Sequence, residues 1–385
     1  MNPKTERLKI LVAGILSLIL TLGIARFAYT PLLPIMQQQA GLGISEAGWL
    51  ASINYIGYLT GAIIAALISD LMLKDRLYRI GLIVAVVTTI GMGMTENFWI
   101  WSLLRFFAGL SSAAGLLLGS GLILNWLIRH DHRSELGIHF SGLGAGIAIC
   151  AALVEVMKSH LDWSQQWQLL TLLGLILIFP AWRWLPRPET QSGRSMTDNP
   201  PSTLFLRLFM VVYFCAGVGY VVSATFIVAI VDRLPGLLGL GAWTFLLLGL
   251  AATPACILWD LIARKTGYLN ALIIASILQI IGILLPVVKA DLILAMLGAV
   301  LFGATFIGIV SLVLTMAGRY YPTRPAKMMG RMTVAYGIAQ ILAPAVTGSV
   351  AAYSGNYHLG LYLAAGMMVI GTTILWYLKR IEQPN

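Results

Sequence analysis

The sequence predicts an all-α polytopic membrane protein: twelve transmembrane helices in two pseudo-symmetric six-helix bundles. Three observations carry that expectation. Hydrophobic residues make up 59% of the 385 residues and charged residues only 10%, with a mean hydropathy of +0.86, far from the balance of a water-soluble domain. Apolar runs of roughly 20 to 30 residues recur along the whole chain, and about 20 suffice to cross a bilayer. Basic residues gather on every second connection between those runs, the asymmetry that sets membrane orientation.

The spans follow in order. Leu8 to Met36 opens after Lys4 and Arg7, and after Lys9 its only charge is Arg26. Ala47 to Ile68 stops at Asp70, and Ile80 to Thr95 begins past Lys74, Arg76 and Arg79. Phe98 to Ile128 encloses Arg105 and stops at Arg129, while Leu136 to Val156 is glycine-rich and carries Glu155 as its last residue but one. Trp167 to Leu185 closes the first half. In the second half come Leu204 to Val231, Leu240 to Ala263, Leu269 to Val288, Leu292 to Met316, Met332 to Tyr353 and Leu359 to Leu378. Tryptophans such as Trp99, Trp101, Trp182, Trp184 and Trp376 sit near predicted ends, as interfacial anchors do.

With these spans, 20 of the 25 lysines and arginines fall on the side of the N-terminus. Only Lys158, Arg233 and Lys289 fall on the other, and Arg26 and Arg105 lie inside spans. Both termini are therefore expected in the cytoplasm, and the +10 net charge is a topology signal rather than a nucleic-acid footprint. Segment 1 is too long for a signal-peptide core and lacks a small-residue cleavage site. Cys150, Cys215 and Cys256 all lie in spans without metal-ligand spacing, so no metal and no cofactor is expected.

Between Pro186 and Thr203 runs the one long polar stretch, rich in Pro and Ser, which reads as a flexible linker. It divides residues 1–185, an N-terminal six-helix bundle, from residues 204–385, a C-terminal one, with 186–203 as a cytoplasmic connection. Six spans on each side prompt a search for repetition. Gly23 to Arg26 in span 1 answers Gly217 to Tyr220 in span 7. Spans 2 and 8 both open on a small residue and Trp, Gly48-Trp49 and Ala242-Trp243, and both end in an Asp followed by bases. Those ends are Asp70 with Arg76, and Asp260 with Arg264. Glycines recur at helical spacing (Gly57 and Gly61; Gly109, Gly115 and Gly119; Gly142 and Gly146), which lets membrane helices approach closely.

These features resemble the major facilitator superfamily. Arg105 to Gly109 is similar to its Arg-x-x-x-Gly motif, and Gly142 to Gly146 falls where its antiporters carry a Gly/Pro-rich motif, here without proline. The loop after span 2 departs from the family pattern, with Ala66 four residues before Asp70 where a Gly is usual. Gly23 to Pro34, Phe140 to Gly144 and Tyr213 to Tyr220 resemble a narrower bacterial branch, the YbfB/YjiJ-like transporters. The resemblance implies a bacterial inner-membrane protein in which spans 1, 4, 7 and 10 line a central cavity. It also makes Asp70, Arg76, Asp260 and Arg264 a cytoplasmic gate.

A guanidinium at the centre of a span costs at least about 2.5 to 3.5 kcal/mol on the insertion scale, so it faces a partner, a cavity or a substrate. At 1.5 Å per residue, Arg26 stands about 26 Å above Lys9, while Arg105 and Glu155 stand about 36 and 33 Å above their basic ends. Glu155 is thus expected to pair with Arg105, either as a structural ion pair or as a proton carrier. That leaves two embedded arginines for one glutamate. Arg26 offers a planar fork of donors suited to carboxylate or phosphate; the alternative is that it holds the bundle together through carbonyls or tyrosines. Thr30 follows Arg26 on its helical stripe, with Tyr29 beside it, and Asn54 and Tyr58 form a polar stripe on span 2. Tyr213 and Tyr220 on span 7, and Tyr336 and Gln340 on span 11, form neutral polar stripes. His139 reads as solvated or backbone-bonded near the cytoplasm, and His130 and His132 as part of a charged turn.

No P-loop, HExxH or nucleophile elbow occurs in the sequence, so no enzyme chemistry or ATP drive is expected. The favoured reading is a secondary active transporter, monomeric, surrounded by lipid. It would move a small organic solute, an anionic or amphiphilic metabolite, by alternating access with proton coupling. The glycine-rich fifth span tilts the reading toward export, with uptake open. A membrane-embedded transferase, or a sensor on a transporter scaffold, is the alternative.

Overall fold

A computed structural model describes residues 3–133, 136–188, 197–233, 240–289, 291–354 and 358–382. Among these residues the chain is helical without a β-strand. The first helix, α1, joins Pro3–Leu18, a π-helical stretch Ile19–Phe27, and Tyr29–Gln39. Then come α2 (Ile44–Leu67), α3 (Leu71–Met92), and α4, built from Phe98–Ala113, a second π-helical stretch Ala114–Gly119, and Ser120–Arg129. Next are α5 (Gly137–Met157), α6 (Trp163–Trp184), α7 (Thr203–Arg233) and α8 (Gly241–Thr266). The chain closes with α9 (Tyr268–Val288), α10 (Leu292–Tyr320), α11 (Pro325–Ser354) and α12 (His358–Glu382). The linker expected over 186–203 lies in its middle part, 189–196, outside the described residues.

These twelve helices form the polytopic all-α fold that hydropathy predicts, and ten of them, among the described residues, are long and apolar enough to cross a bilayer. Large apolar side chains such as Trp99, Ile176, Phe179 and Ile293 are exposed on their outer faces, as a lipid solvent requires. The boundaries move at the basic end. α3 starts at Leu71 rather than Ile80, and α11 at Pro325 rather than Met332. Asp70 caps α3 by accepting from Met72 N at 2.9 Å, and a proline in the first helical position has no amide that needs a partner. Charges expected in connecting loops, such as Lys74, Arg76, Arg79, Lys327 and Arg331, are therefore residues of the opening turns of helices.

The chain divides into two compact units. The first holds Met1–Asn199 together with Ala317–Arg331; the second holds Pro200–Met316 and Met332–Asn385. The transfer of 317–331 to the first unit was not legible from span counting. It has a packing cause: Gly121 lies against Ala326, Gly330 against Ala62 and Ala66, and Gly318 against Leu124. Asn125 Nδ2 donates to Pro322 O at 3.4 Å. Thr323 is held by Asp198, whose carboxylate accepts from its amide at 3.1 Å and its hydroxyl at 2.8 Å.

Inside the first unit α2 and α4 meet backbone to backbone. A methyl group on Gly57 would overlap the Phe106 carbonyl, and one on Gly109 the Asn54 carbonyl. At the other end of the unit, Gln39 Oε1 accepts from Trp163 N at 2.8 Å, and Ser164 Oγ donates to Gly93 O at 2.5 Å. In the second unit, Gly282 on α9 packs against Gly298 on α10, and Gly303 on α10 against Leu248 on α8.

Overpacking a closed contact costs typically about 1 to 3 kcal/mol, and the α2–α4 contact has no room to relax. Gly109→Leu is expected to lower the melting midpoint of the purified protein by several degrees, read by thermal unfolding in detergent. Gly366→Leu, where an added methyl meets nothing within 4 Å, should leave it unchanged.

Candidate functional site

The first unit is built around the break in α1. Pro31 has no N–H to donate to the Phe27 carbonyl, and Pro34 none for Thr30, so the α-helical ladder cannot run through this stretch. The chain responds with π-type bonding, Ala28 N donating to Gly23 O at 2.9 Å. Such wide turns inside helices recur at functional sites. The π stretch of α4 lies beside it: Gly115 sits on the Thr21 side chain, and Ser112 Oγ donates to Thr21 O at 2.7 Å.

Arg26 ends the α1 π stretch and is only 6% exposed. Its guanidinium carbon lies 4.5 Å from the centre of the Tyr58 ring, 4.9 Å from Tyr55 and 5.3 Å from Phe27. Cation–π contacts of this kind contribute about 0.5 to 2 kcal/mol each as the site dries. Arg105 is equally enclosed, at 3% exposed, but it is held differently. Its Nε donates to Leu50 O at 3.4 Å, and one terminal nitrogen reaches both Ala25 O and Arg26 O at 3.3 Å. Its guanidinium carbon stands 4.4 Å from the Tyr29 ring centre. Asn54 Nδ2 closes the arrangement by donating to Arg105 O at 2.8 Å. Arg26, Tyr29, Asn54, Tyr58 and Arg105 thus form one buried cluster, while Thr30 is half-buried.

The expected Arg105–Glu155 pair does not form. Glu155 Oε1 lies 2.6 Å from Lys158 Nζ, one turn along α5, with both side chains partly exposed. Helix rise gives the height of a residue but not the face it occupies, and the carbonyls of α1 and α2 already engage the Arg105 guanidinium. A pair this open contributes under about 1 kcal/mol.

The second unit carries a different surface. Tyr213 on α7 stacks on Tyr336 of α11 with ring centres 4.5 Å apart, and Tyr220 lies 5.7 Å from Tyr336. The stack continues through Tyr220 to Phe306 at 5.1 Å and on to Phe302 at 5.2 Å, both on α10. Gln340 is buried, and its side-chain oxygen has no hydrogen-bond partner among the described residues. Span-by-span polar stripes pointed to Tyr213, Tyr220, Tyr336 and Gln340. They missed Phe302 and Phe306, and also Tyr55, although its spacing of three from Tyr58 puts it on the same side of α2.

At the basic end Asp70 is the α3 cap and Arg76 is exposed. The buried ion pair there is Asp75–Arg79, at 3.0 Å, an i, i+4 signal that the sequence carries openly. Arg79 also donates to Trp182 O at 2.6 Å and Leu185 O at 3.0 Å, which ties α3 to the end of α6. In the second unit Asp260 is buried and Arg264 exposed near the end of α8. His139 is buried rather than solvated, its Nε2 2.8 Å from Ser120 Oγ. His130 and His132 stack on Trp126.

Lys74, in the part of α3 ahead of the apolar run from Ile80, is wholly buried. Burial first, then Lys327 and Arg324 nearby, lower its pKa to about 8, with Asp70 opposing them. A lysine held below its unfolded value near 10.5 destabilises the native state while charged. Below pH 8 that penalty is fully present, and it is relieved as pH rises from about 8 toward 10.5. Lys74→Met should therefore raise the melting midpoint at pH 7, with the gain over wild type shrinking by pH 9.5.

A family described as the uncharacterised MFS-type transporter YbfB matches residues 18–376. The chain is 24% identical over 375 residues to the uncharacterized MFS-type transporter YceJ of Bacillus subtilis, covering 95% of this chain and 88% of the relative. It is 26% identical over 148 residues to the phosphoglycerate transporter protein of Salmonella typhimurium, which is 38% of this chain and 31% of that one. The crystal structure of a nucleoside transporter, NupG, in mutant form shares the fold with a TM-score of 0.68 at 14% identity, covering 97% of this chain and 99% of that one. Twelve helices in this order, with a match along nearly the whole length, place the chain in the YbfB-like family of major facilitator superfamily membrane transporters.

Proposed function

We propose that this transporter carries a small organic anion and that Arg26 binds the anionic group. The carrying observation is a guanidinium only 6% exposed and set against Tyr58 and Tyr55 at the end of a π-helical stretch. Rings meet the arginine by its face, and a guanidinium carries its donors in a planar fork suited to a carboxylate or phosphate. Tyr29 and Asn54 belong to the same buried cluster, Thr30 follows one turn on, and Arg105 adds a second positive charge. In the second unit, taken by itself, the Tyr213–Tyr336–Tyr220 stack and the buried Gln340 offer flat apolar surface and an amide, groups of the kind that line small-molecule sites. The partial match to a phosphoglycerate transporter agrees with an anionic cargo.

The working cycle in this reading is alternating access driven by an ion gradient, with protons as the coupling ion and export as the direction. Asp70, Arg76, Asp260 and Arg264 act at the gate. The 20 basic residues on one side favour both termini in the cytoplasm of a bacterial inner membrane, and the unit that moves substrate is the monomer.

The test is transport of labelled organic acids in proteoliposomes, with and without an imposed pH gradient. Charge-assisted hydrogen bonds contribute about 1.5 to 3 kcal/mol, so Arg26→Ala should weaken substrate affinity by about 10- to 150-fold. Arg26→Lys should restore only part of it. Unchanged affinity and rate in Arg26→Ala would remove the anion site, and equal flux with and without the gradient would remove proton coupling.

A further inference from the structure

The start of α11 carries a cationic recess at the basic end of the first unit, apart from the Arg26 cluster. A cavity of about 170 Å³ is lined by Asp198, Tyr321, Arg324, Lys327, Met328 and Arg331. Lys327 Nζ reaches Ser69 Oγ at 3.4 Å, so the recess adjoins the residue that precedes the α3 cap. Lys74 lies one turn into α3, wholly buried, and its ammonium has no hydrogen-bond partner among the described residues. Lys327 and Arg324, which line the recess, both act on it electrostatically, so the ammonium lies within reach of their charge.

Three cations therefore line the recess beside Asp198, and Lys74 adds a fourth charge within their electrostatic reach; the two carboxylates nearby already accept hydrogen bonds. Asp70 accepts from the Met72 amide, and Asp198 accepts from the amide and hydroxyl of Thr323. A buried ammonium with cationic neighbours is unfavourable unless an opposite charge joins it. Two arginines supply forked donors, the geometry that matches phosphate oxygens. The first turn of α11, a helix of 30 residues, contributes its positive dipole end through Lys327 and Met328 at the cavity wall. At about 30 Å³ per water, the cavity equals roughly six waters, enough for one phosphate group.

We propose that Arg324, Lys327 and Arg331, backed by the charge of buried Lys74, form a phosphate-binding site, separate from the Arg26 cluster, for a lipid headgroup or a soluble phosphate. An anion there neutralises the cluster and fastens the start of α11 to α2 and α3.

The experiment measures thermal unfolding of the purified full-length protein in neutral detergent. One arm compares sodium phosphate with sodium chloride at equal ionic strength. The other compares mixed micelles containing phosphatidylglycerol with micelles containing phosphatidylcholine. One or both probes should raise the wild-type midpoint by about 4 °C or more at saturation. Phosphate acting identifies a soluble anion, and phosphatidylglycerol acting identifies a lipid headgroup. The shift should vanish in the Arg324→Gln/Lys327→Gln/Arg331→Gln variant and in Lys74→Met, which is expected to fold at least as stably as wild type. Arg380→Gln, at the far end of α12, should keep it. No shift with either probe overturns the site, as does a shift that survives in Lys74→Met or is lost equally in Arg380→Gln.

Discussion

A charge buried in a bilayer protein has to be given electrons to face, and the first unit of this transporter is arranged around meeting that demand twice within one cluster. Arg105 meets it with main-chain carbonyls from α1 and α2. Arg26 meets it with the faces of Tyr58 and Tyr55. The difference matters. Carbonyl bonds fix Arg105 as a brace between helices, and they are available only because α1 departs from α-helical bonding just where Ala25 and Arg26 lie. Ring faces surround Arg26 with aromatic electrons instead of main-chain oxygens. One arginine thus braces helices through carbonyl oxygens, and its neighbour is packed among aromatic rings.

Close helix contact is what makes the clamp reachable. Gly57 and Gly109 bring α2 and α4 so near that Asn54 on one helix donates to the Arg105 carbonyl on the other. A side chain at either glycine would open a gap that the Arg105 fork cannot span. The sequence pattern of small residues, the packing of α2 on α4 and the orientation of the embedded arginine are therefore one chain of cause.

Much of this was legible in the residues themselves. Hydropathy, the alternation of basic connections and the polar stretch after Pro186 point to twelve helices in two sets of six, and the Arg105 and Gly23 to Pro34 motifs point to the family. What was not legible has definite physical reasons. Height along a helix does not specify azimuth, so Glu155 was expected beside Arg105 and instead pairs with Lys158. Charge was taken to mark loops, yet the caps at Asp70 and Pro325 draw charged residues into helices and enclose Lys74 and the Asp75–Arg79 pair. The assignment of 317–331 to the first unit rests on Gly121, Gly318 and Gly330 receiving neighbours distant in sequence, which no local pattern announces.

The π-helical stretch in α1 has a consequence for how this helix presents itself. An α-helix turns its side chains by about 100° per residue, and a wider turn advances them by less. Residues beyond Ala28 are therefore rotated out of phase with those before Ile19, so the inner and outer segments of α1 offer unrelated faces to their neighbours. A helical wheel drawn through all of α1 would superimpose two different wheels. Restoring α-helical phase between Leu18 and Ala28 would swing Tyr29 and Thr30 around the axis while leaving the first turns seated, and so would uncouple the Tyr29 ring from the Arg105 guanidinium.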